Sequence, residues 1–155
     1  HDFILSINNY IIENKIYFND IEIWITIDEV HFAPFSYIKF LKNLGQLSPS
    51  EMINHYSNAD ALLFISSMES YGLPMIEAIS LELPVIAVDF AYSRCLLEDK
   101  AYYFEPYVEE SFIDAINMFK SDLKLQNIAN YTSIRAKLPN GWSEVVTTYL
   151  SAFKE

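Results

Sequence analysis

"DALLFISSMESYGLPMIEAISL", residues 60–81, carries two structural patterns back to back. Residues 60–66 read as a strand, with a continuous apolar run at 61–65 that is apolar enough for the centre of a sheet. From about Pro74 to Leu81 the spacing predicts a helix. Proline is welcome at its first position, because its φ is already helical and its missing N–H would have found no intrahelical partner. Between strand and helix lie Glu69 and one of only three glycines, Gly72, while Glu77 falls in the second helical turn.

The same alternation extends in both directions. Residues 2–14 have apolar positions at helical spacing, "IEIWITI" (21–27) reads as a buried strand, and "YIKFL" (37–41), running on toward Leu44, reads as a second. "SPSEMINHYSNA" opens with Ser48 as N-cap, Pro49 at the first helical position and Glu51 three residues after the cap. Downstream, "PVIAVD" (84–89) and "AYYF" (101–104) read as strands, followed by helical patterns over 109–120, 122–137 and 142–154. Strands separated by helices predict an α/β domain, a Rossmann-like parallel sheet flanked by helices and wound from right-handed βαβ units. Ligands in such sheets bind at the carboxyl ends of the strands. Residues 66–74 form such a loop.

Composition narrows the function. The 155 residues fit one domain, 1–155, and 52% hydrophobic residues exclude disorder as the main state. A net charge of −11 argues against a nucleic-acid partner, which needs clustered Lys and Arg. It leaves room for one small phosphate held by backbone N–H groups at a helix N-terminus. The single Cys95 forms no internal disulfide, offers no metal-ligand spacing and reads as a small buried hydrophobe; the three histidines lie far apart. No apolar run approaches the length of a membrane span. The start lacks both a basic segment and an initiator Met, so the sequence reads as a fragment or a processed chain rather than one with a signal peptide.

With Pro74 first in the helix, Leu73 becomes the N-cap, and it has no side-chain oxygen to accept from the next turn. The N–H groups of Gly72, Leu73, Met75 and Ile76 then need an acceptor, which an anion would supply, with Gly72 letting it approach. Carboxylates such as Glu69 and Glu77 suit hydroxyl donors. A ligand with phosphate and hydroxyls would fit. The same residues also read as a dipole partner and a plain turn.

"ESYGLPMIEA" resembles the E-x7-E motif of retaining glycosyltransferases with two Rossmann-like domains (the GT-B fold), the family of bacterial mannosyl-, glucosyl- and rhamnosyltransferases. The surrounding "LGQLSPSEMINHYSNADALLFISS", "PVIAVD", "DKAYYFEP" and "GWSEVVTTYL" are similar to the family's neighbouring segments in the same order, over about residues 38 to 154. The resemblance implies the C-terminal, donor-binding half of that fold. In it Glu77 would bond the ribose hydroxyls of a nucleoside-diphosphate sugar. Glu69, the candidate catalytic residue, would position the donor sugar beside the reacting carbon. Ser70, Tyr71, Gly72 and Leu73 would form the loop against sugar and diphosphate, with Gly72 there because the ligand comes close. Asn43, Leu44 and Gly45 would turn beside the base. It further implies a glycan or lipid-linked acceptor, no metal, no cofactor besides the donor, and surface polysaccharide synthesis. The setting would be the cytoplasm, with peripheral association at the inner membrane face.

The departures from the family pattern are few. Ser70 and Tyr71 replace the commoner Gly and Phe, and Glu82 stands where Gly is usual, at about 1 kcal/mol if the backbone is left-handed there. The Arg and Lys that neutralise the diphosphate have no counterpart; Lys15, Lys39 and Lys42 lack the right context. The domain's first strand and the acceptor-binding N-terminal domain are expected to lie outside this sequence, leaving it inactive alone. Other GT-B enzymes fit less well, since epimerases lack the E-x7-E with Gly-Leu-Pro and phosphorylases need a pyridoxal lysine. A phosphoreceiver would use the acidic pair Asp28 and Glu29, but "ALLFISS" ends in serines where it needs an aspartate, and 28–29 read as a solvated loop. A non-catalytic glycosyltransferase-like binding subunit is the remaining alternative.

Overall fold

The computed structural model describes residues 2–69, 71–139 and 141. Ser70 and the expected Trp-containing helix at 142–154 lie outside the described residues. The chain opens with helix α1 (Asp2–Glu13), which buries Ile7 and Ile11 one turn apart, and continues into strand β1 (Ile23–Ile25). Asp28 caps the short helix α2 (Glu29–Phe32), a 3-10 turn covers Ala33–Phe35, and strand β2 (Leu41–Asn43) follows. Helix α3 (Pro49–Asn58) begins at the capping box read from the sequence. Ser48 accepts from Glu51 N–H while the Glu51 carboxylate accepts from Ser48 N–H at 2.8 Å.

Strand β3 (Leu62–Phe64) leads through the loop at 65–72 into helix α4 (Leu73–Ser80). Strand β4 (Val85–Val88), helix α5 (Ala91–Leu97) and strand β5 (Tyr102–Phe104) follow, then helix α6 (Glu109–Leu125) and a single turn, α7 (Thr132–Arg135). All pairings among the described residues are parallel. β1 pairs with β2, bringing Ile23 opposite Leu41, and β3, β4 and β5 pair in that order. The α/β class with parallel strands and flanking helices is as expected.

Four expectations need correction. Among the described residues the strands form two parallel sheets rather than one, because β1 and β3 are not bonded to each other. The central strand of the larger sheet is β4, with all four residues buried, and not "DALLFIS", whose Leu62 and Leu63 stay half-buried. Residues 37–40 are a turn, closed by Ile38 N–H donating to Phe35 and Leu41 N–H to Ile38; their apolar character serves burial of Ile38 and Phe40 rather than extension. The break expected near residue 121 falls instead at Gln126, whose left-handed backbone (φ 54°) ends α6.

Alternation along β4 divides the core. Ile86 and Val88 join α1 and α6 on one face, where Phe104 and Phe112 meet edge to face at 5.3 Å. Val85 and Ala87 join Phe64, Met75, Ile79, Leu97 and Tyr131 on the other, under α4, α5 and α7. Between the unpaired edges of β1 and β3 runs a cleft of about 620 Å³, lined by Ile23, Ile25, Leu62 and Ile65 together with Phe119 of α6 and Tyr56 of α3. No described helix is long and apolar enough to cross a membrane.

Candidate functional site

The 65–72 loop sits at the carboxyl end of β3 because two other elements brace it. Ser66 Oγ donates to the Met68 carbonyl at 2.9 Å, and the Tyr92 hydroxyl of α5 donates to the Ser66 carbonyl. Burial, reinforced by the charge of Glu69, pushes the Tyr92 phenol above its ordinary range, so it remains a donor. Glu69 is half-buried within the loop.

Gly72, not Leu73, is the N-cap of α4, and its backbone is left-handed (φ 71°, ψ 45°). Leu73 and Pro74 are thus the first two helical residues. The Gly72 carbonyl accepts from Met75 N–H at 2.9 Å and from Ile76 N–H at 3.2 Å. Two of the four amides expected to await an anion are therefore already paired, and those of Gly72 and Leu73 are the two with no acceptor among the described residues. The glycine itself has reasons internal to the fold. A Cβ there would lie 2.4 Å from the Met75 methyl, and the positive φ penalises any L side chain. Around this cap Met68, Tyr71 and Leu73 are exposed and form an apolar lip.

Glu77 is exposed one turn into α4, and the half-buried Tyr56 at the end of α3 donates its hydroxyl to Glu77 Oε2 at 2.9 Å. Burial, together with that hydrogen bond and charge, pushes the Tyr56 phenol up. Sequence reasoning missed Tyr56 and Tyr92 as partners of the loop. "YSNAD" held the only local hint, an aromatic residue closing a helix just before the strand that carries the site.

Glu69, Tyr71, Gly72, Leu73 and Glu77 therefore share one strand–loop–helix unit. Asn43 ends β2 in the other sheet, and Leu44 and Gly45 follow it. Asn43 Oδ1 accepts from Ile27 N–H at 3.3 Å and from Gly45 N–H at 3.2 Å, and its Nδ2 donates to Glu29 at 3.3 Å, tying the loop after β1 to the loop after β2. Gly45 is left-handed (φ 70°) with open space where a Cβ would stand. Leu44 and Tyr56 line the same cleft, which links this loop to the neighbourhood of Glu77.

The remaining polar candidates have structural tasks. Asp28 caps α2, and the backbone hydrogen bond from His31 holds its carboxyl below the usual range; the acidic pair is a helix start rather than a free loop. Lys42 lies 3.6 Å from Glu22 and over the Trp24 ring, so it is committed at the β1–β2 surface. Arg94 grips Asp89 through two hydrogen bonds of 2.7 and 2.6 Å while lying over the Tyr103 ring. Cys95 is exposed, correcting the expectation of burial, because α5 turns Ser93 and Leu97 inward.

The family profile described as "Glycosyl transferases group 1" matches residues 39–135, from β2 through α7. A serotype-specific mannosyltransferase of Escherichia coli is 36% identical over 61 residues, 39% of this chain and 8% of its own length. An O-antigen chain mannosyltransferase of Salmonella typhimurium is 37% identical over 73 residues, 47% of this chain and 21% of its own. The matched segment thus spans less than a quarter of either relative.

Proposed function

Because the chain belongs to the group 1 glycosyl transferases, we propose that it is the donor-binding domain of a retaining GT-B enzyme that moves a hexosyl unit from a nucleoside-diphosphate sugar to a glycan or lipid-linked acceptor. The names of the two relatives favour a mannosyl donor and a place in surface polysaccharide synthesis. The observation that carries the reading is the β3–loop–α4 unit, which combines a left-handed Gly72 cap, two amides without a described acceptor, and Glu69 and Glu77 to either side.

In this reading Glu77 accepts from the ribose hydroxyls and Glu69 positions the sugar without forming a covalent bond to it. The backbone of Ser70 to Leu73 meets sugar and diphosphate, and Asn43 to Gly45 lie beside the base. Departure of the nucleoside diphosphate builds negative charge on its β-phosphate. The Gly72 and Leu73 amides at the positive end of α4 stabilise that charge electrostatically, with no metal and no cofactor beyond the donor. The reading also gives the domain a first strand between β1 and β3, where two open edges and an apolar lining suit a strand parallel to both. The two diphosphate-binding cations follow that strand, and an N-terminal domain brings the acceptor. The whole enzyme works in the cytoplasm, peripheral to the inner membrane face.

Titration of UDP, GDP, ADP and dTDP, followed by NMR, tests this reading, with Glu77→Ala as control. For this chain alone one nucleotide is expected to bind at about millimolar strength, roughly −4 kcal/mol, and Glu77→Ala to weaken it. Unchanged binding by the variant would reject the assignment of Glu77.

A further inference from the structure

A carboxylate exposed on the second turn of a helix has three rotatable bonds, and an acceptor that swings freely gives up rotamer entropy whenever it binds a hydroxyl. Glu77 is not in that position. The Tyr56 hydroxyl donates to its Oε2 at 2.9 Å, joining α3 to α4 through two residues 21 apart in the chain. Tyr56 is itself fixed, since its ring packs against the cluster of Phe64, Ala78 and Ile79. A phenol has one proton to give, so the bond engages one carboxylate oxygen, and Oε1 has no hydrogen-bond partner among the described residues.

We propose that Tyr56 is a positioning residue of the donor site, holding Oε2 of Glu77 so that Oε1 is presented to the ribose hydroxyls of the bound nucleotide. The proposal rests on the donor-site reading above but adds a residue to it. Tyr56 does not touch the nucleotide; it acts through Glu77 alone. Its contribution is therefore present only when the ligand carries ribose hydroxyls, and only when Glu77 is there to be held.

Those two conditions define the test. Dissociation constants are measured on the full chain for the tightest of UDP, GDP and ADP and for its 2′,3′-dideoxy analogue, using wild type, Tyr56→Phe, Glu77→Ala and the double variant. Tyr56→Phe keeps the ring and its packing, so folding is preserved. It is expected to weaken the ribonucleotide about threefold to tenfold, the range of one net hydrogen bond, and to leave the dideoxy analogue unchanged. The double variant should bind no more weakly than Glu77→Ala, because both substitutions remove one interaction. A Tyr56→Phe protein that binds the ribonucleotide like wild type, or weakens both ligands equally, overturns the proposal while a ribose-dependent loss in Glu77→Ala still upholds the donor site. If Glu77→Ala itself distinguishes neither ligand from wild type, the donor-site reading fails and takes the proposal with it.

Discussion

Glu82 sets two opposed energies against each other, and substitution there separates them. It stands in the left-handed region (φ 52°), just past the C-cap of α4, at an expected cost of about 1–2 kcal/mol for an L side chain. Its carboxylate accepts from Tyr131 N–H at 2.8 Å. Tyr131 is fully buried, so losing that acceptor strands a donor at about 1–3 kcal/mol; the exposure of the glutamate argues for the middle, about 2. Glu82→Ala keeps the strain and loses the bond, for a destabilisation of about 2 kcal/mol. Glu82→Gly relieves the strain, loses the bond and adds about 0.5–1 kcal/mol of unfolded-chain freedom, for a net loss of about 1 kcal/mol. Glu82→Gln keeps an acceptor and should cost less than either. Equilibrium urea unfolding reads these values as shifts in midpoint at constant slope. A Glu82→Gly protein as stable as wild type or more so would refute the reasoning, since the bond to Tyr131 would then contribute nothing against the strain.

Two further outcomes follow from the same structure. Gly45→Ala should cost only the left-handed penalty, about 1–2 kcal/mol, because nothing stands in the way of its Cβ; Gly72→Ala should cost more by urea unfolding, because the Met75 methyl must also move. Asp89 is held below its ordinary value of 3.8 chiefly by the hydrogen bond from Arg94. Its folded pKa is thus below its unfolded one, so the stability it contributes is fully present above about pH 4 and is lost as pH falls through the lowered value. Asp89→Asn should accordingly be less stable than wild type at neutral pH, with the gap closing below pH 4; a gap constant with pH would show that the ion pair contributes nothing.

What could be read from the residues was what the residues settle locally. The start of α3 was legible because Ser48 and Glu51 cap one another within a single turn that Pro49 opens, and β4 because its four residues are all apolar and all buried. Helix α5 was not legible. Its N-cap is Phe90, which has no side-chain oxygen, and the compensating contact runs backward, with Ser93 Oγ accepting from Phe90 N–H at 3.2 Å. The turn at 37–40 defeated the reading because burial of Ile38 and Phe40 looks the same in sequence as a strand. In the site, the positions of Glu69, Gly72 and Glu77 could be anticipated along one stretch of chain. Their bracing by Tyr92 and Tyr56 could not, because each contact joins separate elements, 26 and 21 residues apart.

The cleft between β1 and β3 has a consequence for the isolated polypeptide. Among the described residues each bordering strand has an edge unmatched by another strand, over an apolar floor, and such a margin templates an extended chain that reaches it. At high protein concentration the nearest extended chain belongs to another copy. Self-association through mutual strand addition, growing with concentration, is therefore the expected behaviour, and sedimentation over a concentration series would show it.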